Sequence, residues 1–303
     1  MVCVMVMSIH QKSLREKDRT MALEFWKYHG LGNDFAIIDE RKVARDWSLA
    51  TIQELCDRHR GIGADGLLLL SDSEVADFRM IVRNADGSRP EMCGNGLRCF
   101  VQYIIDQKLT DKHTLDIETD RGVLTCTHHV AQDSQPSTIL VDMGAPILRC
   151  PEIPFASTDE RWIERPITLD DEAFVGTAVS MGNPHFVIFQ KANAHERELA
   201  PQLESHEMFP QRANIEFVEQ LSETCLDVVV YERGCGFTQA CGTGACAVAV
   251  AAVLTERIAA DQEVEVRLPG GPLWIRVPSD MSTVWMRGPA SVVYHGEWAL
   301  PLS

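Results

Sequence analysis

Two short motifs in the chain place a thiol directly before a predicted helix. The first is Cys93-Gly94-Asn95-Gly96 and the second is Cys241-Gly242-Thr243-Gly244. The glycines allow close approach to unpaired backbone N–H groups, and Asn95 and Thr243 are residue types that can cap a helix. Because a helix N-terminus carries partial positive charge, it binds anions and lowers the pKa of a nearby thiol. Each motif therefore predicts an anion site beside an ionisable cysteine.

Two such thiols at one cleft suit the inversion of a carbon that bears hydrogen. One base must remove the proton from one face while an acid delivers a proton to the opposite face. A thiolate and a thiol can exchange these roles, and helix ends can hold a substrate carboxylate and the negative charge that grows on it. A small residue in a tight turn would explain one of these cysteines. Two related copies favour catalysis by Cys93 and Cys241.

An internal repeat relates the two motifs. The segment GNDFAII in the first half resembles GNPHFVIF in the second, and the strand-like runs FRMIVRN and LDVVVYE each precede a cysteine motif. Nine positions separate Asn84 from Cys93, and nine also separate Glu232 from Cys241. Matched order and spacing predict a duplication and therefore two similar domains.

The elements that position the motifs follow from hydrophobic periodicity. Helices are predicted over 49–58, 97–107 and 245–257, and strands over 35–39, 78–83, 115–119 and 227–231. The divide between the domains is expected near 143–146, where GAP follows a strand. Residues 1–21 are predicted to be a loose N-terminal extension.

Composition limits the classes of function. The chain has 303 residues, 45% of them hydrophobic, and a net charge of −16, which argues against binding to nucleic acid or anionic membranes. Its longest apolar stretch is about half of the roughly 20 residues that a membrane helix needs. We predict no secretory signal. Ten cysteines without a C-x-x-C pair indicate a reducing compartment, and we expect a cytoplasmic protein with a small polar substrate.

Five segments, in order, resemble the diaminopimelate epimerase family. They are KYHGLGNDF, NADGSRPEMCGNGLRC, MGNPHF, ANIEF and ERGCGFTQACGTGACA, and the similarity spans about residues 25–290. The resemblance implies a cofactor-independent isomerase that interconverts LL- and meso-diaminopimelate in lysine and peptidoglycan precursor biosynthesis. It also implies an α+β fold of two domains related by a pseudo-twofold axis, each a curved mixed sheet around a central helix. The domains would comprise residues 22–142 with 288–303, and residues 143–287.

The resemblance also assigns site residues. It implies that Cys93 and Cys241 are the catalytic pair and that His185 and Glu232 tune the thiol pKa values. The substrate-binding positions it implies are Asn33, Asn84, Gly94, Asn95, Asn183, Asn214, Glu232, Arg233, Gly242 and Thr243. It implies no metal, and a homodimer is a further hypothesis. Two positions depart from the family pattern: Phe237 replaces a frequent carboxylate, and Gly66 replaces a glutamine that touches substrate in some members.

Other patterns in the sequence suggest different functions. The segment GIGADG fits a dinucleotide fingerprint, but a predicted helix precedes it and a strand follows, which is the reverse of the required order. The cysteine spacings fit no common zinc site, so Cys99 and Cys246 are predicted to face the core. A proline racemase-like or other two-thiol racemase, and a non-catalytic thiol redox switch, remain alternatives.

Overall fold

The computed structural model describes residues 22–43, 45–90, 92–130 and 136–299. The predicted N-terminal extension, residues 1–21, lies outside this part of the chain. The strands are β1 (Ala22–Gly30), β2 (Asn33–Asp39), β3 (Gly66–Ser71), β4 (Phe78–Asn84), β5 (Thr114–Thr119), β6 (Gly122–His129), β7 (Thr138–Asp142), β8 (Arg165–Leu169), β9 (Glu172–Ser180), β10 (Pro184–Ile188), β11 (Asn214–Ser222), β12 (Cys225–Glu232), β13 (Gly236–Phe237), β14 (Glu263–Leu268), β15 (Gly271–Arg276), β16 (Trp285–Gly288) and β17 (Ser291–Ala299). The α-helices are α1 (Leu49–Cys56), α2 (Gly94–Asp106), α3 (Ala194–Glu204) and α4 (Gly242–Leu254).

Strand pairing repeats in the two halves of the chain. The first half has the order β17-β1-β2-β3-β4-β5-β6-β7, and the second has β8-β9-β10-β11-β12-β14-β15-β16. Parallel pairs stand at equivalent places, β2 with β3 and β10 with β11, then β4 with β5 and β12 with β14. Antiparallel pairing of β7 with β16 joins the halves. The α+β class and the pseudo-twofold arrangement are thereby confirmed.

The C-terminal strand returns to the first half, because β17 pairs with β1 over almost its whole length. The domain division itself, including the assignment of residues 288–303 to the first domain, stays a prediction.

Two buried helices form the centre of the molecule. Helix α2 packs against β1, β2 and β7, while α4 packs against β9, β10 and β15. Small alanine and valine side chains make α4 apolar on all sides, which suits a helix that a sheet surrounds. Cys99 and Cys246 are fully buried within α2 and α4, which confirms their predicted place in the core.

Helix α1 and the glycine-rich segment have the expected order. Helix α1 begins after Ser48, whose hydroxyl accepts a hydrogen bond from the Thr51 N–H, and residues 61–66 lead from it into β3. Helix α3 was not predicted, although Asn193 and Glu196 form a capping box at its start, a pattern readable in sequence. No helix in the described ranges is long and apolar enough to cross a membrane.

Candidate active site

The two cysteines themselves cap the two central helices. The Cys93 Sγ accepts a hydrogen bond from the Gly96 N–H at 3.4 Å, and the Cys241 Sγ accepts one from the Gly244 N–H at 3.3 Å. Both cysteines have extended backbone and stand just outside the first helical residue. The expectation that Asn95 caps its helix was wrong, and so was the one for Thr243, because each lies inside the first turn. Both helices therefore start about three residues earlier than predicted.

The structure brings the two helix ends together. A methyl group placed on Gly94 would lie 3.9 Å from the Gly242 Cα, so the first turns of α2 and α4 almost touch. The Asn95 side chain crosses this junction, since its Nδ2 donates to the Ala240 carbonyl at 3.1 Å. A methyl group at either glycine would also lie 3.1 Å from the end of the Met286 side chain, so both helix starts are closely packed. Both thiols therefore belong to one junction between the halves.

Asn33 forms part of the wall beside Cys93. Its Oδ1 accepts a hydrogen bond from Asn95 Nδ2 at 3.2 Å and lies 4.0 Å from the Cys93 Sγ. Its Nδ2 donates to Asp65 Oδ2 at 2.8 Å, which fixes the orientation of the amide. Asp65 was missed in the sequence analysis, although a charged residue inside the glycine-rich GIGADG segment was a visible signal.

Asn84 ends β4 and pairs in register with Gly66 on β3. The Asn84 Nδ2 donates to Ser88 Oγ at 2.9 Å. A methyl group on Gly66 would lie 2.6 Å from the Arg83 carbonyl oxygen, so this backbone accepts no side chain without moving. Phe237, which like Gly66 departs from the family pattern, is partly exposed. Its ring packs edge-on against the ring of Tyr231, with 5.0 Å between the ring centres.

His185 lies at the centre of the second half of the site. Its Nε2 is 3.1 Å from Asn183 Oδ1, and its Nδ1 is 2.6 Å from Glu216 Oε1 and 3.4 Å from Asn214 Nδ2. His185, Asn214 and Glu216 are almost fully buried. Glu216 was also missed, yet a carboxylate within the apolar run of the ANIEF segment was a readable signal, because buried charge is rare without a partner.

Glu232 and Arg233 follow β12 at the edge of the site. The Glu232 Oε1 accepts a hydrogen bond from Thr238 Oγ1 at 2.5 Å, and burial raises the pKa of the Glu232 carboxyl. The Arg233 N–H donates to Asn214 Oδ1 at 2.8 Å. The Arg233 guanidinium is exposed and donates to the Gln211 carbonyl at 3.1 Å, so it lies at the rim.

The two thiols have different electrostatic surroundings. Burial raises the pKa of Cys93 and the Glu232 carboxylate raises it further, against the opposing effects of the Gly96 N–H and the Arg98 guanidinium. Burial raises the pKa of Cys241 well above its usual value, and the carboxylates of Glu232 and Glu216 raise it further. From the partial positive charge at each helix N-terminus alone, the sequence predicted lowered thiol pKa values. The net shift is upward because loss of solvent outweighs the helix N–H groups.

The polar groups of the site indicate what it can bind. No group of three or more His, Cys, Asp and Glu side chains in those ranges is arranged to hold a metal ion. The polar groups around the helix ends instead include amides, hydroxyls and backbone N–H groups. These groups can bind a substrate carboxylate and ammonium, and the two sulfur atoms can exchange protons with carbon.

Sequence comparison connects this site with a known family. The profile of the family described as diaminopimelate epimerase matches residues 25–148 and 177–293. A diaminopimelate epimerase of Desulforudis audaxviator is 47% identical over 279 residues, which cover 91% of this chain and 99% of that protein. A chloroplastic diaminopimelate epimerase of Oryza sativa subsp. japonica is 41% identical over 297 residues, with 93% and 82% coverage.

More distant proteins of known structure share the fold. A PhzF-family phenazine biosynthesis protein of Bacillus anthracis has a TM-score of 0.66 at 16% identity and covers 92% of this chain and 99% of its own. A hydroxyproline epimerase of Agrobacterium vitis with bound trans-4-hydroxy-L-proline has a TM-score of 0.66 at 13% identity, with coverages of 93% and 92%. These likenesses show the fold alone. The profile match over most of the sequence and the near full-length relatives show that this chain belongs to the diaminopimelate epimerase family.

Proposed function

We propose that this protein interconverts LL- and meso-diaminopimelate by transferring protons through Cys93 and Cys241. The observation that carries the proposal is the meeting of two cysteine-capped helix ends at one junction. Relatives that share more than 40% of their residues with this chain bear the name diaminopimelate epimerase. The reaction would serve the synthesis of lysine and of peptidoglycan precursors.

The reaction needs one thiolate and one thiol on opposite faces of the α-carbon. The thiolate takes the α-proton, an S–H bond forms, and the electron pair of the broken C–H bond spreads from carbon into the α-carboxylate. The other thiol then donates its proton to the opposite face and becomes the thiolate. Backbone N–H groups at the starts of α2 and α4 bind the carboxylate and stabilise its growing negative charge. No proton is gained or lost overall.

The remaining polar groups would recognise the far end of the substrate. Diaminopimelate carries an amino acid group at each end, and amides with one arginine can hold the distal carboxylate and ammonium. The residues assigned to substrate binding are Asn33, Asn84, Gly94, Asn95, Asn183, Asn214, Glu232, Arg233, Gly242 and Thr243. His185 and Glu232 would tune the thiol pKa values. Glu232 raises the pKa of Cys241 directly, and His185 contacts Glu216, the second carboxylate that raises it.

Isotope uptake from heavy water tests the proposal. Purified protein should incorporate deuterium at the α-carbon of LL-diaminopimelate and produce the meso isomer, while L-proline and trans-4-hydroxy-L-proline stay unchanged. Turnover should survive treatment with a chelator and need no added cofactor. Deuterium in proline instead would favour the racemase alternative. A folded protein with no turnover of any of these substrates would favour the thiol redox switch.

We also propose that the protein is a homodimer and lies in the cytoplasm. The nine cysteines that the structure describes are all free thiols, in keeping with a reducing compartment. On the described chain β17 pairs with β1 alone, and its Val292, Val293 and Tyr294 are more than 40% exposed. A strand edge with apolar side chains favours pairing with a second chain. Light scattering should give twice the chain mass, and Val293→Lys should reduce it to one chain.

A further inference from the structure

Arg98 in helix α2 is a fully buried cation without a buried anion beside it. Its Nη2 donates to Asn95 Oδ1 at 2.9 Å, its Nη1 to the Gly94 carbonyl at 3.3 Å and its Nε to the Pro289 carbonyl at 3.3 Å. All three acceptors are neutral, and no carboxylate within the described ranges forms an ion pair with it. The positive charge of Arg98 is therefore not neutralised.

The surrounding backbone is shaped for this guanidinium. A methyl group on Gly30, where β1 ends, would lie 3.1 Å from Arg98 Nη2, and one on Gly288, where β16 ends, would lie 3.1 Å from Arg98 Nε. Gly30 and Gly288 belong to strands from opposite ends of the sequence, so the pocket depends on how the two halves meet. Any side chain at these glycines would press on the arginine.

Such a cation costs stability in two ways. Burying an unpaired charge loses its hydration, and the N-terminal turn of a helix already carries positive potential. The fold itself does not require arginine here, because the equivalent position of the second half is Cys246. Arg98 and Cys246 each stand five residues after the cysteine that caps their helix. A costly charge in one half alone points to a role in the chemistry.

The cation also makes the two thiol environments unequal. Two charged groups act on Cys93 in opposite directions: the Glu232 carboxylate raises its pKa, and the Arg98 guanidinium, whose Nη1 donates to the carbonyl of the adjacent Gly94, lowers it. The groups that act on Cys241 are the carboxylates of Glu232 and Glu216. A methyl group on Gly244 would lie 2.9 Å from Glu216 Oε1, whereas its equivalent in α2, Gly96, faces the apolar Leu68. Glu232 therefore acts on both thiols, but Arg98 opposes it at Cys93 whereas Glu216 adds to it at Cys241.

We propose that Arg98 is a positioning residue of the site: its buried charge favours the thiolate of Cys93, and its hydrogen bond holds the Asn95 side chain across the two helix ends. The catalytic consequence rests on the proposed function, whereas the effect on the thiol does not need substrate. Arg98 acts through Cys93 and Asn95 and does not itself exchange a proton.

Alkylation of the thiols without substrate tests the charge. Iodoacetamide labelling is followed by peptide mass spectrometry between pH 6 and 10. Arg98→Met should slow labelling of Cys93 about tenfold at pH 7 and move its profile upward by about one pH unit, with Cys241 unchanged. Arg98→Lys keeps the charge, so its labelling profile should stay close to that of the unaltered protein. Its kcat should nevertheless fall about tenfold, because lysine lacks the planar fork that holds Asn95.

Arg60→Met is the matched control, because it removes one arginine charge from an 88% exposed side chain and should change neither reading. A folded Arg98→Met protein that labels Cys93 like the unaltered protein would overturn the proposal. If Arg98→Met does not fold, the labelling profiles of the unaltered protein still test the proposal. Labelling of Cys241 at a lower pH than Cys93 in that protein would also overturn the proposal. A shifted profile in a protein that does not turn over diaminopimelate would refute the proposed function and leave the charge assignment standing.

Discussion

His185 Nδ1 lies 2.6 Å from Glu216 Oε1, and both side chains are completely buried. Matched strand registers place His185 of β10 where β2 has Phe35, and Glu216 of β11 where β3 has Leu68. The polar pair thus occupies positions that are apolar in the first half. The scaffold tolerates either kind of pair, which indicates that the polar pair serves the Cys241 half of the site.

Replacing the pair by its counterpart from the first half should separate stability from function. Glu216→Leu alone should lower the free energy of unfolding by about 3–5 kcal/mol, because it leaves a buried histidine without its partner. The double variant His185→Phe with Glu216→Leu should recover most of that loss, while kcat falls at least tenfold. Denaturant unfolding and steady-state kinetics provide the two readings. A double variant with unchanged kcat would show that the pair is only structural.

Each of the two cysteines that we propose as catalytic should be indispensable for inversion. Cys93→Ala and Cys241→Ala should both abolish epimerisation, because neither remaining thiol can act on both faces of the carbon. Each variant should still eliminate halide from a halogenated substrate analogue, and the two should prefer opposite stereoisomers. Cys246→Ala is the matched control from the buried core of α4 and should keep most activity. Near-native epimerisation by either catalytic variant would contradict the two-base assignment.

Mild oxidation should inactivate the enzyme reversibly by joining Cys93 to Cys241. The starts of the two helices that they cap are in near contact, so a small closure can bring the sulfur atoms within bonding distance. Peptide mapping of the oxidised protein should find this pair, and a reducing agent should restore activity. Inactivation through Cys235, the exposed cysteine nearest in sequence, would show instead that the two thiols do not approach each other.

Stability should depend on pH through Asp34. Burial would raise the pKa of Asp34, but hydrogen bonds and ion pairs with Arg58 and Lys27 lower it to about 2. A carboxyl whose pKa is lowered by folding stabilises the protein above its unfolded pKa of about 4, and this contribution is lost as the pH falls toward 2. Asp34→Asn should therefore lower the melting temperature by a few degrees at pH 7 and progressively less below pH 4. Asp72→Asn, at an 84% exposed side chain, should change little, and an equal pH dependence in both variants would rule out the assignment.

Sequence alone determined the features that depend on local order. The two cysteine motifs before apolar helices and the alternating strands are carried by residues close together in the chain. The repeat was visible because the same short patterns recur in the same order in both halves, and the resemblance of five segments identified the family. Helix α3 was the exception, because its exposed, charged sequence lacks a strong apolar face. The starts of α2 and α4 were misplaced because a cysteine is an unusual N-cap.

Tertiary structure alone decided which distant residues meet. Asp65 holds Asn33, and Glu216 holds His185, across strands that pair in parallel and are therefore separated by long connections. The direction in which the pKa of Cys241 shifts could not be predicted from the sequence either. It depends on desolvation by the whole fold and on carboxylates from two different strands. Charge and burial are sums over neighbours in space. Spacing along a chain predicts such neighbours only within one element or its adjoining turn.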